Sequence, residues 1–321
     1  MHSDQPTTSG SARNLSGEDL TEAVLANFSH CSSERFTRIA QSLVKHLHAF
    51  IEDVQLTEEE WARGIDFLTR VGHITTEQRQ EFILLSDVLG ASMQVIGINT
   101  RRPRGTTEST VFGPFFTANS PRFANGDDIA NGAPGEPCFM EGYVRSITGA
   151  PIPDARIEVW QADDLGHYDV QYDDLSAARG RGHLFSDREG RYYFWSLRPT
   201  AYPIPDDGPV GELLAAANRS PMRPAHVHFM ITAPGYHPLI THVFAEGDPY
   251  LDSDAVFGVK TALITPFAHH EAGVAPDGRQ MGTPFSTMRY DFALAPLEAA
   301  DMDGAGGAET DHPGGERSPQ G

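Results

Sequence analysis

The chain has little of three things, and each shortage excludes a class of protein. Cysteine occurs only twice in 321 residues, at Cys31 and Cys138. A disulfide scaffold is therefore not expected, and two free thiols suit a reducing cytoplasm. Basic residues number 24 against 44 acidic ones, for a formal net charge of −20. That balance argues against a nucleic acid or an anionic membrane as partner, because both attract basic patches. No stretch approaches the roughly 18 apolar residues of a membrane span. The N-terminal text MHSDQPTTSGSARN carries no apolar run of the kind a signal peptide needs. A cytoplasmic protein is the expectation, and the length leaves room for a substantial core in one large domain or two.

Periodicity divides the chain. Residues 1–15 are small and polar, and residues 298–321 are rich in Gly, Ala, Asp and Pro. Neither segment holds enough large apolar residues to offset the entropy of ordering, so both read as disordered tails. Between 16 and 105 the period is helical: Phe36, Ile39, Leu43, Leu47, Phe50 and Ile51 recur at three- and four-residue steps. Thr57 with Glu60 forms a capping-box pattern ahead of Trp61, Ile65 and Leu68. From 106 to 297 Gly and Pro become frequent and short alternating runs appear, among them ARIEVWQA, RYYFWSL and HVHFMIT. Such runs, separated by turn clusters, predict an antiparallel β-sandwich. The expected fold is mainly β with an α-helical N-terminal domain.

Four residues carry most of the chemistry: Tyr168, Tyr202, His226 and His228. In a strand, residues i and i+2 share a face, so His226 and His228 project together while Val227, Phe229 and Ile231 face a core. A free phenol loses its proton only near pH ~10. Only a strongly Lewis-acidic ion keeps two phenolates bound at neutral pH, and ferric iron is the biological candidate. Such a site suits a substrate that is itself a diphenol. A metal-free β-sandwich binding module with a helical arm is the non-enzyme alternative, and it predicts a colourless protein.

The segments GPFF at 113–116, GAPIPDARIEVWQADDLGHYD at 149–169, GRGHLFSDREGRYYFWSLRPTAYPIP at 180–205 and RPAHVHFMITAPGY at 223–236 resemble the intradiol ring-cleavage dioxygenases. The resemblance runs from about residue 18 to about 295. It implies one Fe(3+) per subunit held by Tyr168, Tyr202, His226 and His228, with Tyr202 leaving the metal to take a substrate proton while Tyr168 stays. It also implies a homodimer formed through the helical domain, in which a phospholipid can lie between the subunits. Arg223, three residues before His226, would stabilise carbanion character on the attacked ring carbon. His167 is a tempting further ligand, but neighbours in an extended segment face opposite sides.

Within the family, ILLSDVLGASM at 83–93, TESTVFGPFF at 107–116 and HVFAEGDPYLDSDAVFGVK at 242–260 look most like the hydroxyquinol 1,2-dioxygenases. Catechol enzymes tend to have Gln where this chain has His242. The resemblance implies cleavage of 1,2,4-trihydroxybenzene to 3-hydroxymuconate, the enol form of maleylacetate, in aromatic catabolism; catechol or a substituted catechol is the alternative substrate. A third hydroxyl in an apolar pocket needs a partner, and Asp87 is the candidate acceptor. By the same matching, Leu84, Val111, Phe112, Gly113, Ile204, Arg223 and Val256 form the expected substrate walls.

Overall fold

A computed structural model describes residues 13–76, 79–172 and 177–297. The expected tails fall outside these residues, apart from 13–15. The chain divides into two compact units, Met1–Thr69 and Arg70–Gly321.

The first unit holds α1 (Gly17–Asn27), α2 (Glu34–Asp53) and most of α3 (Glu58–Ile74). Ser33 caps α2 by accepting the Phe36 amide at 3.3 Å. At the start of α3 the capping box forms in both directions. The Thr57 amide donates to the Glu60 carboxylate at 2.9 Å, and the Glu60 amide donates to Thr57 Oγ1 at 3.2 Å. The helical period thus yields amphipathic helices, but the apolar stripe of α2 is exposed among the described residues. Phe36, Ile39, Leu43, Leu47 and Phe50 are 48% to 65% exposed, and Trp61, Ile65 and Leu68 on α3 are likewise exposed. No single helix among the described residues is long and apolar enough to cross a membrane.

The second unit carries two five-stranded sheets. One is built around β1 (Pro137–Ser146), which pairs with β4 (Arg191–Leu197), β11 (Phe285–Arg289) and β12 (Phe292–Leu294), with β10 (Phe267–His270) beside β11. The other runs β3 (Arg181–Phe185), β2 (Arg156–Trp160), β7 (His226–Thr232), β8 (Leu239–Ala245), β9 (Ile264–Thr265). The short strands β5 (Tyr202–Pro203) and β6 (Met222–Arg223) form a separate ribbon. Cys138, Met140, Val144 and Phe194 of the first sheet meet Ile157, Val159, Val227, Phe229 and Ile231 of the second in one buried core.

The expected antiparallel sandwich is corrected here to a mixed one. β1 pairs in parallel with both β11 and β12, and β8 pairs in parallel with β9. β11 and β12 act as one returning strand, broken at Tyr290–Asp291 opposite Gly142. A Cβ on Gly142 would lie 1.7 Å from the Tyr290 carbonyl oxygen, so only glycine admits that approach. Parallel pairs are joined by long crossovers, and alternation within one strand does not reveal its neighbour's direction. The helices α4 (Glu81–Val88) and α5 (Ala91–Asn99) lie in this second unit, not with α1 and α2. Buried Glu81 ties α4 to the start of α6 (Pro209–Ala216) by accepting the Val210 amide at 3.1 Å.

Candidate metal centre

The second sheet turns its inner face to the core and its outer face to the site. Residues directly opposite each other across strands share a face. The register Arg181–Trp160–His228–His242 therefore forms one row on the outside of the sheet. Trp160 stacks on His228 with ring centroids 4.7 Å apart. Tyr168 follows β2 and begins the short turn Asp169–Gln171; its amide donates to Gln171 Oε1 at 2.8 Å. Arg181 holds that turn through a buried ion pair with Asp169 at 2.6 Å and a bond to the Phe115 carbonyl at 2.7 Å. Tyr202 opens β5 opposite Arg223 of β6. The two tyrosine loops pass closely at Gly166, where φ is +81° and a Cβ would lie 2.6 Å from that of Tyr202.

These four side chains converge in a closed ring. Tyr168 Oη lies 2.8 Å from Tyr202 Oη, Tyr202 Oη 3.2 Å from His226 Nε2, His226 Nε2 3.3 Å from His228 Nε2, and His228 Nε2 2.9 Å from Tyr168 Oη. All four residues are at most 5% exposed. Burial, with Arg223 nearby, lowers the His226 pKa to about 3, and burial with His226 nearby takes His228 well below its usual value. Both imidazoles are neutral at pH 7, the form that binds metal. Burial pushes both phenols above their ordinary pKa, although at Tyr202 the Arg223 guanidinium opposes the shift. With both phenols held above their ordinary pKa, two phenolates at neutral pH require a strong Lewis acid. The residues fit a hard, strongly acidic metal ion. His226, His228 and His242 also bring three imidazole nitrogens within 4.8 Å. His242 Nε2, however, meets His228 Nδ1 at 2.8 Å, on the far side of that ring from the phenols. It does not share their focal point.

Arg223 is buried and donates from Nε to Asp254 at 3.1 Å, while its Nη1 lies 3.1 Å from His226 Nε2. Burial opposes both charges, but each ion outweighs it for the other: Arg223 is held above its usual pKa and Asp254 below. Arg223 Nη2 is buried without a hydrogen-bond partner among the described residues. The ring opens on a cavity of about 280 Å³, near the lower end of the roughly 300–1,000 Å³ of small-molecule sites. Leu84, Asp87, Val111, Gly113, Ile204, Arg223 and Val256 line it. Phe112 does not. It packs against Phe116 and Trp160. His167 reaches the cavity rim and is exposed, away from the four-donor ring. Four residues around the ring carry no local sequence signal: Trp160 covers His228, Arg181 and Asp169 tie down the Tyr168 turn, and Asp254 holds Arg223.

Models of two domain families match the chain, "Catechol dioxygenase N terminus" over residues 33–107 and "Dioxygenase" over residues 111–296. Together they span most of it. The chain belongs to the intradiol ring-cleavage dioxygenases. Among relatives of this dioxygenase, the hydroxyquinol 1,2-dioxygenase of Nocardioides simplex is 56% identical over 87% of this chain and 95% of its own. The catechol 1,2-dioxygenase of Candida albicans is 37% identical over 86% of this chain and 91% of its own. The solved hydroxyquinol 1,2-dioxygenase of Pseudomonas putida DLL-E4 superposes with a TM-score of 0.81 at 44% identity, covering 87% of this chain and 98% of that one.

Proposed function

We propose that this dioxygenase cleaves hydroxyquinol, 1,2,4-trihydroxybenzene, with O2 between its two adjacent hydroxylated carbons, giving 3-hydroxymuconate, the enol form of maleylacetate. The observation that carries the reading is the ring of two phenols and two neutral imidazoles opening on a cavity sized for one aromatic ring. Ferric iron, one per subunit, is the cofactor this donor set fits. Held by Tyr168, Tyr202, His226 and His228, it would supply Lewis acidity toward the diol and a path for its electrons. Tyr202 Oη takes one diol proton. Arg223 sets a fixed positive charge, kept ionised by Asp254, beside the ring carbon that becomes electron-rich. Leu84, Val111, Ile204 and Val256 keep water from the reacting atoms.

The names of several relatives at 52% to 56% identity support hydroxyquinol as substrate. So does Asp87, which is 4% exposed in the cavity wall; burial raises its pKa, with Ser92 and Arg223 opposing. It is a buried acceptor for the third hydroxyl in that wall. Replacing Asp87 by Leu is expected to lower kcat/KM for hydroxyquinol about 10- to 100-fold relative to catechol, since an unpaired buried hydroxyl costs roughly 1–3 kcal/mol. An unchanged ratio of the two rates would remove Asp87 from substrate selection. The function as a whole is tested by visible absorption of the iron-loaded protein, with hydroxyquinol added in the absence of O2. A tyrosinate charge-transfer band that moves to longer wavelength on adding the triol supports the reading, and a protein that stays colourless with iron defeats it.

The exposed stripe of α2, with Trp61, Ile65 and Leu68, is proposed to seat a second copy of the chain, because an apolar face of this extent rarely stands in water. Leu43→Glu with Leu47→Glu should turn a dimer into a monomer in sedimentation equilibrium. A wild-type protein that sediments as a monomer at every concentration would refute the assembly. Lipid extraction and mass spectrometry of the purified protein would show whether a phospholipid shares that face.

A further inference from the structure

The two imidazoles of the four-donor ring are oriented by different means. His226 Nδ1 lies 2.6 Å from the Pro224 carbonyl. A carbonyl only accepts, so the proton sits on Nδ1 and the Nε2 lone pair faces the ring. His228 has no such fixed acceptor. Its Nδ1 meets His242 Nε2 at 2.8 Å, and His242 Nδ1 meets Thr110 Oγ1 at 2.7 Å. An imidazole and a hydroxyl can each donate or accept, so this chain has two possible directions. In one, Thr110 donates to His242 and His242 to His228, leaving a proton on His228 Nε2 that blocks ligation. In the other, His228 Nδ1–H donates to His242, and His242 Nδ1–H donates to Thr110. Only the second leaves the His228 lone pair on the focal point.

The fold holds the chain in place. His228 and His242 are directly opposed in the β7–β8 register. The segment carrying Thr110 is laid along β8 by two bonds, from the Thr110 amide to the Ile240 carbonyl at 3.0 Å and from Thr241 Oγ1 to the Glu108 carbonyl at 2.7 Å. Trp160 covers the His228 ring face, and Gly113, at φ +77°, brings the backbone so close that a Cβ would lie 3.0 Å from His228 Cε1. His228 cannot readily turn to seek another acceptor. We propose that His242, oriented by Thr110, is a positioning residue: it accepts the Nδ1 proton of His228 and fixes that ring's Nε2 lone pair on the metal position.

This rests on the ferric reading above, and the test separates the two. Iron affinity, by competition with a chelator, and the position of the charge-transfer band are compared in His242→Leu, His242→Gln, Thr110→Val and Thr110→Ser. His242→Leu removes the acceptor and should weaken iron binding about 10- to 100-fold. It should also move the band to longer wavelength, because a less basic His228 leaves the iron more electron-poor. His242→Gln, whose amide oxygen accepts the same proton, should restore both. Thr110→Val should shift both readouts in the same direction by less, and Thr110→Ser should return them. If His242→Leu does not fold, the Thr110 pair decides alone. A side chain that merely packs would lower the melting temperature without moving the band. Iron-loaded variants with the parent's band and affinity would overturn the proposal. A parent that takes up no iron would instead overturn the ferric reading.

Discussion

Replacing Tyr168 by Phe is expected to abolish ring cleavage while leaving the fold intact. Among the described residues the Tyr168 hydroxyl hydrogen-bonds Tyr202 Oη and His228 Nε2, and its ring stays stacked on Phe115 at 4.5 Å. Phe preserves that packing and removes one anionic oxygen donor. Charge stabilisation by a metal centre amounts to several kcal/mol, so if Tyr168 is the phenolate of the proposed ferric site, its loss should cost roughly 10³-fold in kcat. Tyr202→Phe should differ in kind. On the proposed role it removes the proton acceptor for the diol, so the triol should still bind in the absence of O2 while turnover fails. Iron content, the charge-transfer band and single-turnover kinetics distinguish the two. If Tyr168→Phe keeps both colour and parental turnover, the four-donor assignment is wrong.

Parts of this site were legible because strand geometry writes them locally. His226 and His228 share a face through the period of two, and the same period turns Val227, Phe229 and Ile231 into the core. Phe112, matched to the cavity wall together with Val111 and Gly113, packs instead against Phe116 and Trp160. Tyr168 and Tyr202 were legible only through the text around them, since loops carry no period. Asp254 lies 31 residues beyond Arg223, in another loop, and nothing local marks it as the partner that keeps the guanidinium ionised. The parallel pairing of β1 with β11 is long-range in the same sense. α4 shows the limit of helical periodicity: its pattern grouped it with α1–α3, yet it belongs to the second unit and carries Leu84 and Asp87 to that unit's cavity.

Arg223→Met should lose activity and stability together, and the two losses can be separated. Removing the guanidinium leaves Asp254, 5% exposed, as an uncompensated buried charge. Breaking such a pair by removing one partner costs about 3–5 kcal/mol. In the parent, Arg223 holds the Asp254 carboxyl below its usual pKa, so the pair's contribution is present at neutral pH and is lost as acid protonates Asp254. In the variant only the Gly258 amide, donating to Asp254 at 2.8 Å, still opposes burial, and the folded pKa is expected to rise above the unfolded one. The sign then reverses: the variant's deficit in melting temperature should be largest at neutral pH and shrink as pH falls through that raised value. Arg223→Met combined with Asp254→Asn removes both charges and should recover most of the stability. It should not recover the rate, because the fixed cation beside the reacting carbon is still missing, a loss of about 10²–10³-fold in kcat. Recovery of both would make Arg223 a structural partner of Asp254. Recovery of stability alone makes it a catalytic residue.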